Sequence, residues 1–387
     1  MKKQLSYLKI YEIIAGCILL LSVVMLLMSP STFYDMLDSS LDSLISDFKS
    51  HIRYTAELQN TYSSTIHACF PPLIYLFYHF LYLIIPNTEN ADAMYSFVYM
   101  IYLSVLFCLF SYICSKMFEK ESTVSRITAT VLIILSTPFV FGIIEQGNIV
   151  LLPMMLLAIS VLWRNSNNKI KHELSLIFLA VAAGIKIYPA IFGLIYLIEK
   201  RYKETARLIV YGILFFFVPF IFTGGADGLM QFLSNQSEVQ QTWGQCSVIS
   251  IYSYLVLFGF DKSVGAIVSA IFAVVAVIGA FIAKKQWQKY FMLIFIMVMC
   301  PLWSGQYTVC FFLIPFFEFL NDKQQADNDK LYNIIYITLL SLLFSANLIG
   351  RLFGGLKISI SVLLIFFIII IQSIINIKKQ TNKINKE

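Results

Sequence analysis

The strongest constraint on this chain is the length of its apolar runs. Ile10–Met28, Val264–Ala283 and Ile358–Ile377 are each about twenty residues long, which is what a helix needs to cross a ~30 Å hydrocarbon core. Inside a bilayer the chain must satisfy its own backbone N–H and C=O groups, which leaves helices or closed barrels. Barrel strands alternate apolar and polar residues, and these runs do not. Composition agrees: 59% of the residues are apolar and 13% charged, against about 25% charged in soluble domains. The reading is an all-α, polytopic membrane protein, with residues 1–387 forming a single integral membrane domain. The net charge of +6 is no nucleic-acid signal, because the basic residues sit in short clusters between apolar runs. Met1-Lys2-Lys3 is a basic start, but the run behind it is long for a signal peptide and no small-x-small cleavage site follows. It is read as the first span.

Lysine and arginine set the expected topology. About twelve spans are predicted, at 10–28, 93–115, 127–144, 149–163, 174–187, 189–199, 205–223, 263–283, 290–302, 307–320, 331–349 and 358–377. With both termini cytosolic, the inner segments hold 22 of the 28 basic residues. Only Lys49, Arg53, Lys186, Lys262, Arg351 and Lys357 fall outside. The apolar stretch Phe70–Pro86 resembles a further span, but a crossing there would put Lys116, Lys120 and Arg126 outside. It is therefore read as an external juxtamembrane helix, and Ser247–Phe260 is read the same way. Two long external loops result, 29–92 and 224–262. Long loops in compact proteins tend to be functional, so the chemistry is expected to face outward across an inner or plasma membrane.

In the first loop, Asp35, Asp38 and Asp42 share one helical face and read as a solvated surface. Asp47 differs. It precedes Phe48 and Tyr54 near the membrane surface, where a carboxylate suits a general base for a sugar hydroxyl. Glu145-Gln146-Gly147-Asn148 reads either as a polar turn or as the floor of an external cavity. Lys186, in Gly184-Ile185-Lys186-Ile187-Tyr188-Pro189, lies near the end of an apolar helix. A lysine at that depth either snorkels to the interface or meets an anion such as phosphate. Asn235, Gln236, Gln241, Trp243, Gln245, Trp303 and Gln306 suit sugar recognition and equally a membrane interface. Asn235-Gln236-Ser237 also matches a glycosylation sequon. Arg351 and Lys357 flank Gly354-Gly355 and read as lipid-phosphate contacts or interfacial anchors. The seven cysteines show no CxxC metal spacing, and Cys69 and Cys246 both fall in the expected external loops. No zinc, P-loop or Rossmann signature is present.

Taken in order, these residues resemble a known group. Ser46-Asp47-Phe48 and Tyr54 are followed by Phe70-Pro71-Pro72-Leu73-Ile74-Tyr75, Glu145-Gln146-Gly147-Asn148, Gly184–Pro189 and the basic loop Glu199–Lys203. Pro301-x-Trp303 with Gln306-Tyr307 comes later. The pattern is similar to the GT-C superfamily of membrane glycosyltransferases, specifically glycosyltransferase family 87, over roughly residues 10–320. The resemblance implies a GT-C-like bundle with an external cavity, a polyprenyl-phosphate sugar donor (mannose in part of the family), and Asp47 as base. Beside the resemblance, the charge reading of Lys186 sets the expectation that it meets the donor phosphate, with Arg53 or Arg351. Substrate contacts are expected from Tyr54, Glu145, Gln146, Asn148, Tyr188, Gln245, Trp303 and Gln306. This chain departs from the family where members often carry histidine after Pro-x-Trp; here the residues are Gln306-Tyr307.

The expected partners are a lipid-linked sugar donor, a glycan or glycolipid acceptor and membrane lipid. No nucleic acid, cofactor or metal is expected. Two rivals stand beside this reading. One is a polymerase of lipid-linked repeat units, which favours arginine-rich external loops. The other is a twelve-helix transporter or flippase, which favours two similar halves.

Overall fold

The computed structural model of the chain describes residues 6–28, 45–63, 68–85, 91–243, 249–322, 330–346 and 351–384. All regular structure among them is helical. Five helices are long and apolar enough to cross a membrane by length and composition: Tyr7–Met25, Ala91–Met117, Tyr202–Phe222, Lys262–Ile282 and Gly355–Asn382. The pair Thr123–Ile134 and Pro138–Glu145 makes a sixth if it is counted as one bent span.

The remaining expected spans are helical but short, and their sequences say why. Leu151–Trp163, Gln286–Met299 and Lys330–Leu343 are 13 or 14 residues long, about 20 Å at 1.5 Å per residue. The stretches expected at 189–199 and 307–320 open with tight 3₁₀ turns, Tyr188–Gly193 and Gln306–Phe312, before becoming α-helical. Phe70–Pro86, expected to lie along the surface, is a helix over Pro72–Ile84 with proline in its first turn, where the missing N–H costs nothing. Its 13 residues also fall short of ~30 Å.

The helices are numbered here as α1 (Tyr7–Met28), α2 (Ser46–Arg53), α3 (Pro72–Ile84), α4 (Ala91–Met117), α5 (Thr123–Ile134), α6 (Leu151–Trp163), α7 (Lys169–Ile185), α8 (Leu194–Ile198), α9 (Tyr202–Phe217) and α10 (Gly225–Trp243). They continue with α11 (Ile251–Leu257), α12 (Lys262–Ile282), α13 (Gln286–Met299), α14 (Leu313–Asn321), α15 (Lys330–Leu343) and α16 (Arg351–Ile384). The chain forms two compact units: Met1–Phe33 with Ser115–Thr137 and Ser247–Glu387, and Tyr34–Cys114 with Pro138–Cys246.

In the first unit α13 is the central helix. Every residue from Tyr290 to Met299 is buried, the pattern of a helix that is apolar all round. Phe295 stacks on Phe366 of α16 at 4.2 Å between ring centroids. A polar tie crosses this apolar core: Gln372 Oε1 accepts from Gln288 Nε2 at 2.9 Å and from the Tyr336 hydroxyl at 3.0 Å.

The second unit is built on α7, which packs against α6 and α9. A Cβ on Gly184 would lie 2.8 Å from the Phe215 carbonyl of α9 and 3.0 Å from Leu73 of α3. Glycine is what lets the three helices approach so closely. Farther along, buried Arg164 pairs with Glu199, and Arg201 ties to Glu204 at 3.0 Å and to the Arg164 carbonyl at 3.1 Å. These charges clamp the ends of α6, α8 and α9, so Glu199–Lys203 is an ordered ionic junction.

Gly184→Val therefore overpacks the α7–α9 contact and is expected to cost about 1–3 kcal/mol, read as a lower thermal unfolding midpoint in detergent. Gly212 of α9 faces open space, with nothing within 4 Å of an added Cβ. Gly212→Ala is expected to leave the midpoint unchanged or raise it, since alanine is the better helix former.

Candidate functional site

The site forms where the short helix α2 docks on the turn at Glu145–Asn148. Ile45, just before α2, has φ of 53°, an unusual conformation for a β-branched residue. Two backbone hydrogen bonds hold it there: Ile45 N–H donates to the Glu145 carbonyl at 2.7 Å, and Asp47 N–H to the Gln146 carbonyl at 3.1 Å. Gly147 makes the approach possible. Its φ is +72°, and a Cβ there would lie 2.7 Å from Ile45 Cα. Asn148, 1% exposed, completes the dock. Its Nδ2 donates to Asp47 Oδ2 at 2.9 Å, and its Oδ1 accepts from Val150 N–H at 3.1 Å.

Asp47 is half-buried. Desolvation raises its carboxyl pKa above the ordinary carboxylate range, while the Asn148 hydrogen bond and the positive charge of Lys186 pull it partly back. A carboxylate raised in this way is a better proton acceptor than a free one.

Lys186 sits at the residue that ends α7, where the backbone turns extended. It is 4% exposed, and its ammonium lies 3.5 Å from the centroid of the Phe70 ring, a cation–π contact. Its charge reaches Asp47, His51 and Cys69.

Aromatic side chains fill the space around these two charges. His51, on the same face of α2 as Asp47, is 7% exposed. It stacks on Phe70 at 4.0 Å, faces Tyr78 at 5.8 Å and meets Tyr54 edge-on at 5.3 Å. Its Nδ1 is 3.0 Å from the Tyr75 hydroxyl. Burial and the nearby Lys186 charge hold the imidazole pKa down to about 3, so His51 is neutral at ordinary pH. Burial pushes the Cys69 thiol up to about 11, and it too is uncharged.

The Phe70 backbone is held at both ends. Tyr62 donates to its carbonyl at 2.7 Å, and its N–H donates to the Tyr75 hydroxyl at 3.3 Å. Behind it, Asn235 of α10 donates to the carbonyls of Tyr62 and Ala68 at 3.1 and 3.0 Å, and Gln236 donates to that of Cys69. Asn235 is 1% exposed. Its amide is committed to the main chain, so it is unsuited either to sugar recognition or to glycosylation at the sequon.

The structure brings Asp47, Lys186, Tyr54 and Asn148 together electrostatically or by contact. Glu145 and Gln146 contribute backbone carbonyls to the dock. Tyr188 is half-buried at the start of the 3₁₀ turn after Lys186. Arg53 is more than half exposed, forms an ion pair with Asp92 and lies 5.9 Å from the Tyr95 ring centroid. Trp303, Gln306 and Arg351 belong to the other unit. There Trp303 meets Tyr307 edge-on at 6.4 Å, Gln306 opens a 3₁₀ turn and Arg351 opens α16. Asp35, Asp38, Asp42, Gln245 and Cys246 lie outside the described residues.

His51, Phe70, Tyr75 and Tyr78 were given no role from the sequence, and Cys69 was singled out only, with Cys246, for its place in an external loop. One signal was available. Tyr75 and Tyr78 are three residues apart on a helix that follows Pro71-Pro72, which puts both hydroxyls on one face.

The sequence profile of glycosyltransferase family 87 matches residues 70–304. The matched span takes in Phe70, Tyr75, the Glu145–Asn148 turn, Lys186 and Trp303, and it begins after Asp47 and His51. No curated protein and no solved structure matches the chain.

The Asn148 hydrogen bond favours the charged form of Asp47. Asn148→Ala is therefore expected to move the Asp47 titration to higher pH. Infrared titration of its carboxyl band, assigned by its loss in Asp47→Asn, reads the shift directly.

Proposed function

The chain belongs to glycosyltransferase family 87, and from that premise we propose that it transfers a sugar from a polyprenyl-phosphate donor to a glycan or glycolipid acceptor, with inversion at the anomeric carbon. Asp47 is the base and Lys186 the cation that meets the donor phosphate. The observation that carries this reading is the pairing of a desolvated carboxylate with a buried lysine whose charge it feels. The dock that holds the carboxylate and the turn that holds the cation are both ordered parts of one unit.

The step proceeds as follows. Asp47 takes the proton of the acceptor hydroxyl. The acceptor oxygen forms its bond to the anomeric carbon as the bond from that carbon to the phosphate oxygen breaks. The electron pair of the broken bond leaves with polyprenyl phosphate, whose negative charge Lys186 stabilises. The transition state has the oxocarbenium character of glycosidase chemistry, with phosphate as the leaving group. Tyr54 and the Glu145–Asn148 turn, both beside Asp47, are assigned to substrate contact, and Tyr188 lies two residues beyond Lys186. Arg53, Arg351, Gln245, Trp303 and Gln306 remain candidate donor and acceptor contacts. Mannose is the sugar to test first, on the strength of the family resemblance. The basic residues of the expected inner loops support an outward-facing site in an inner or plasma membrane, with both termini cytosolic.

Asp47→Asn is expected to lower transfer from a polyprenyl-phosphate sugar by about 10²- to 10⁴-fold. Because the native carboxyl pKa is raised, ionising Asp47 disfavours the fold: stability falls as pH rises from the unfolded pKa through the native one. Asp47→Asn should therefore unfold no lower than wild type at pH 7, so that lost transfer reports on chemistry. Full transfer by Asp47→Asn would remove Asp47 as the base.

The rate should rise with pH as Asp47 ionises, with its midpoint above 3.8, the ordinary value for aspartate. Lys186→Met removes a charge that lowers this pKa. The acid limb should move to higher pH as donor KM rises, and an unmoved limb would break the proposed coupling.

A further inference from the structure

We propose that His51 is a positioning residue for the Lys186 ammonium: its ring backs the face of Phe70 opposite the one on which that ammonium sits, and the Tyr75 hydroxyl sets the tilt of the ring. The consequence for the donor rests on the assignment of Lys186 to its phosphate; the positioning itself does not.

The geometry is a short column. The Lys186 ammonium is 3.5 Å from the Phe70 centroid and the His51 ring is 4.0 Å from that same centroid, tilted by 28°. Groups that close to one ring clash if they share a face, so they occupy opposite faces. Tyr78 lies beyond His51, nearly parallel at 12°. The order is ammonium, Phe70, His51, Tyr78. Every member is buried, so a gap on one side of Phe70 is not filled by solvent at no cost. If the His51 ring is lost, Phe70 has space to tilt away and the ammonium loses its seat.

Histidine suits this position in a way that a second cation would not. A protonated imidazole would place positive charge directly behind the ring that Lys186 occupies. Its surroundings keep it neutral. The groups it meets are the Lys186 charge, the Phe70 ring and the phenols of Tyr54, Tyr75 and Tyr78. Burial disfavours the imidazolium, and the Lys186 charge disfavours it further. A neutral imidazole still offers what phenylalanine lacks, a ring nitrogen at 3.0 Å from the Tyr75 hydroxyl. That contact links the column to the Phe70 N–H, which donates to the same hydroxyl.

The test uses the full chain in lipid nanodiscs, labelled with [ε-¹³C]lysine. The Lys186 signal is assigned by its disappearance in Lys186→Arg. In wild type it should lie upfield of the other lysines, displaced by the ring current of Phe70. His51→Ala should return it towards the common lysine position, His51→Phe should keep most of the displacement by retaining a flat ring, and Tyr75→Phe, the mildest change, should shift it partway.

Turnover of polyprenyl-phosphate mannose provides the second readout. In His51→Ala the donor KM should rise by about tenfold or more, because small misplacements of a binding group are costly, while kcat changes less. An undisplaced wild-type signal, or one unmoved by His51→Ala, overturns the proposal. Equal loss in His51→Phe and His51→Ala overturns it as well, because a backing ring would then be irrelevant. If the resonances behave as expected but wild type turns over no lipid-linked sugar, the positioning stands and the glycosyl-transfer reading fails.

Discussion

Two main-chain hydrogen bonds join α2 to the carbonyls of Glu145 and Gln146, and the arrangement of the site follows from them. They fix where α2 begins, and so which side of it carries Asp47 and His51. They require Ile45 in a left-handed conformation and a glycine at 147, because any side chain there meets the Ile45 backbone. Asn148 then binds the carboxylate within one residue of the same turn. A glycine–asparagine pair does two separate tasks here. One residue removes an obstacle and the other supplies a donor.

The electrostatics depend on that docking. A carboxylate packed among aromatic side chains is pushed towards its neutral form by desolvation, and a lysine is pushed the same way. Each makes the other's charge more favourable only if both are held within reach. The structure holds them from different directions: Asp47 by backbone contacts to a turn, and Lys186 by the end of α7 and the face of Phe70. Neither anchor relies on the other charge.

The sequence was most informative where a polar residue interrupts apolar surroundings. Lys186 stood out for that reason, Asn148 as part of a polar turn between apolar helices and Asp47 for the aromatics that follow it, and the structure gathers them. The aromatic column was hidden because Phe70, Tyr75 and Tyr78 look in sequence like interfacial anchors, which this chain has in abundance. His51 was overlooked beside the charged residues of its loop, since its role depends on being neutral. Asn235 and Gln236 read equally as ligand contacts or interface residues, because a sequence shows an amide side chain but not the main-chain carbonyl that accepts its hydrogen bond. The helical class was clear from the apolar runs. The number of long helices was not, because hydropathy does not show where a run such as 307–320 starts as a 3₁₀ turn.

The clamp that Asn235 places on the carbonyls of Tyr62 and Ala68 has an evolutionary corollary. Because it grips main-chain atoms, it is indifferent to the side chains between its two attachment points and sensitive to how many residues separate them. Relatives that keep this clamp are free to diverge in composition there, for instance to suit a different acceptor, whereas an insertion or deletion would pull Phe70 away from the lysine it seats.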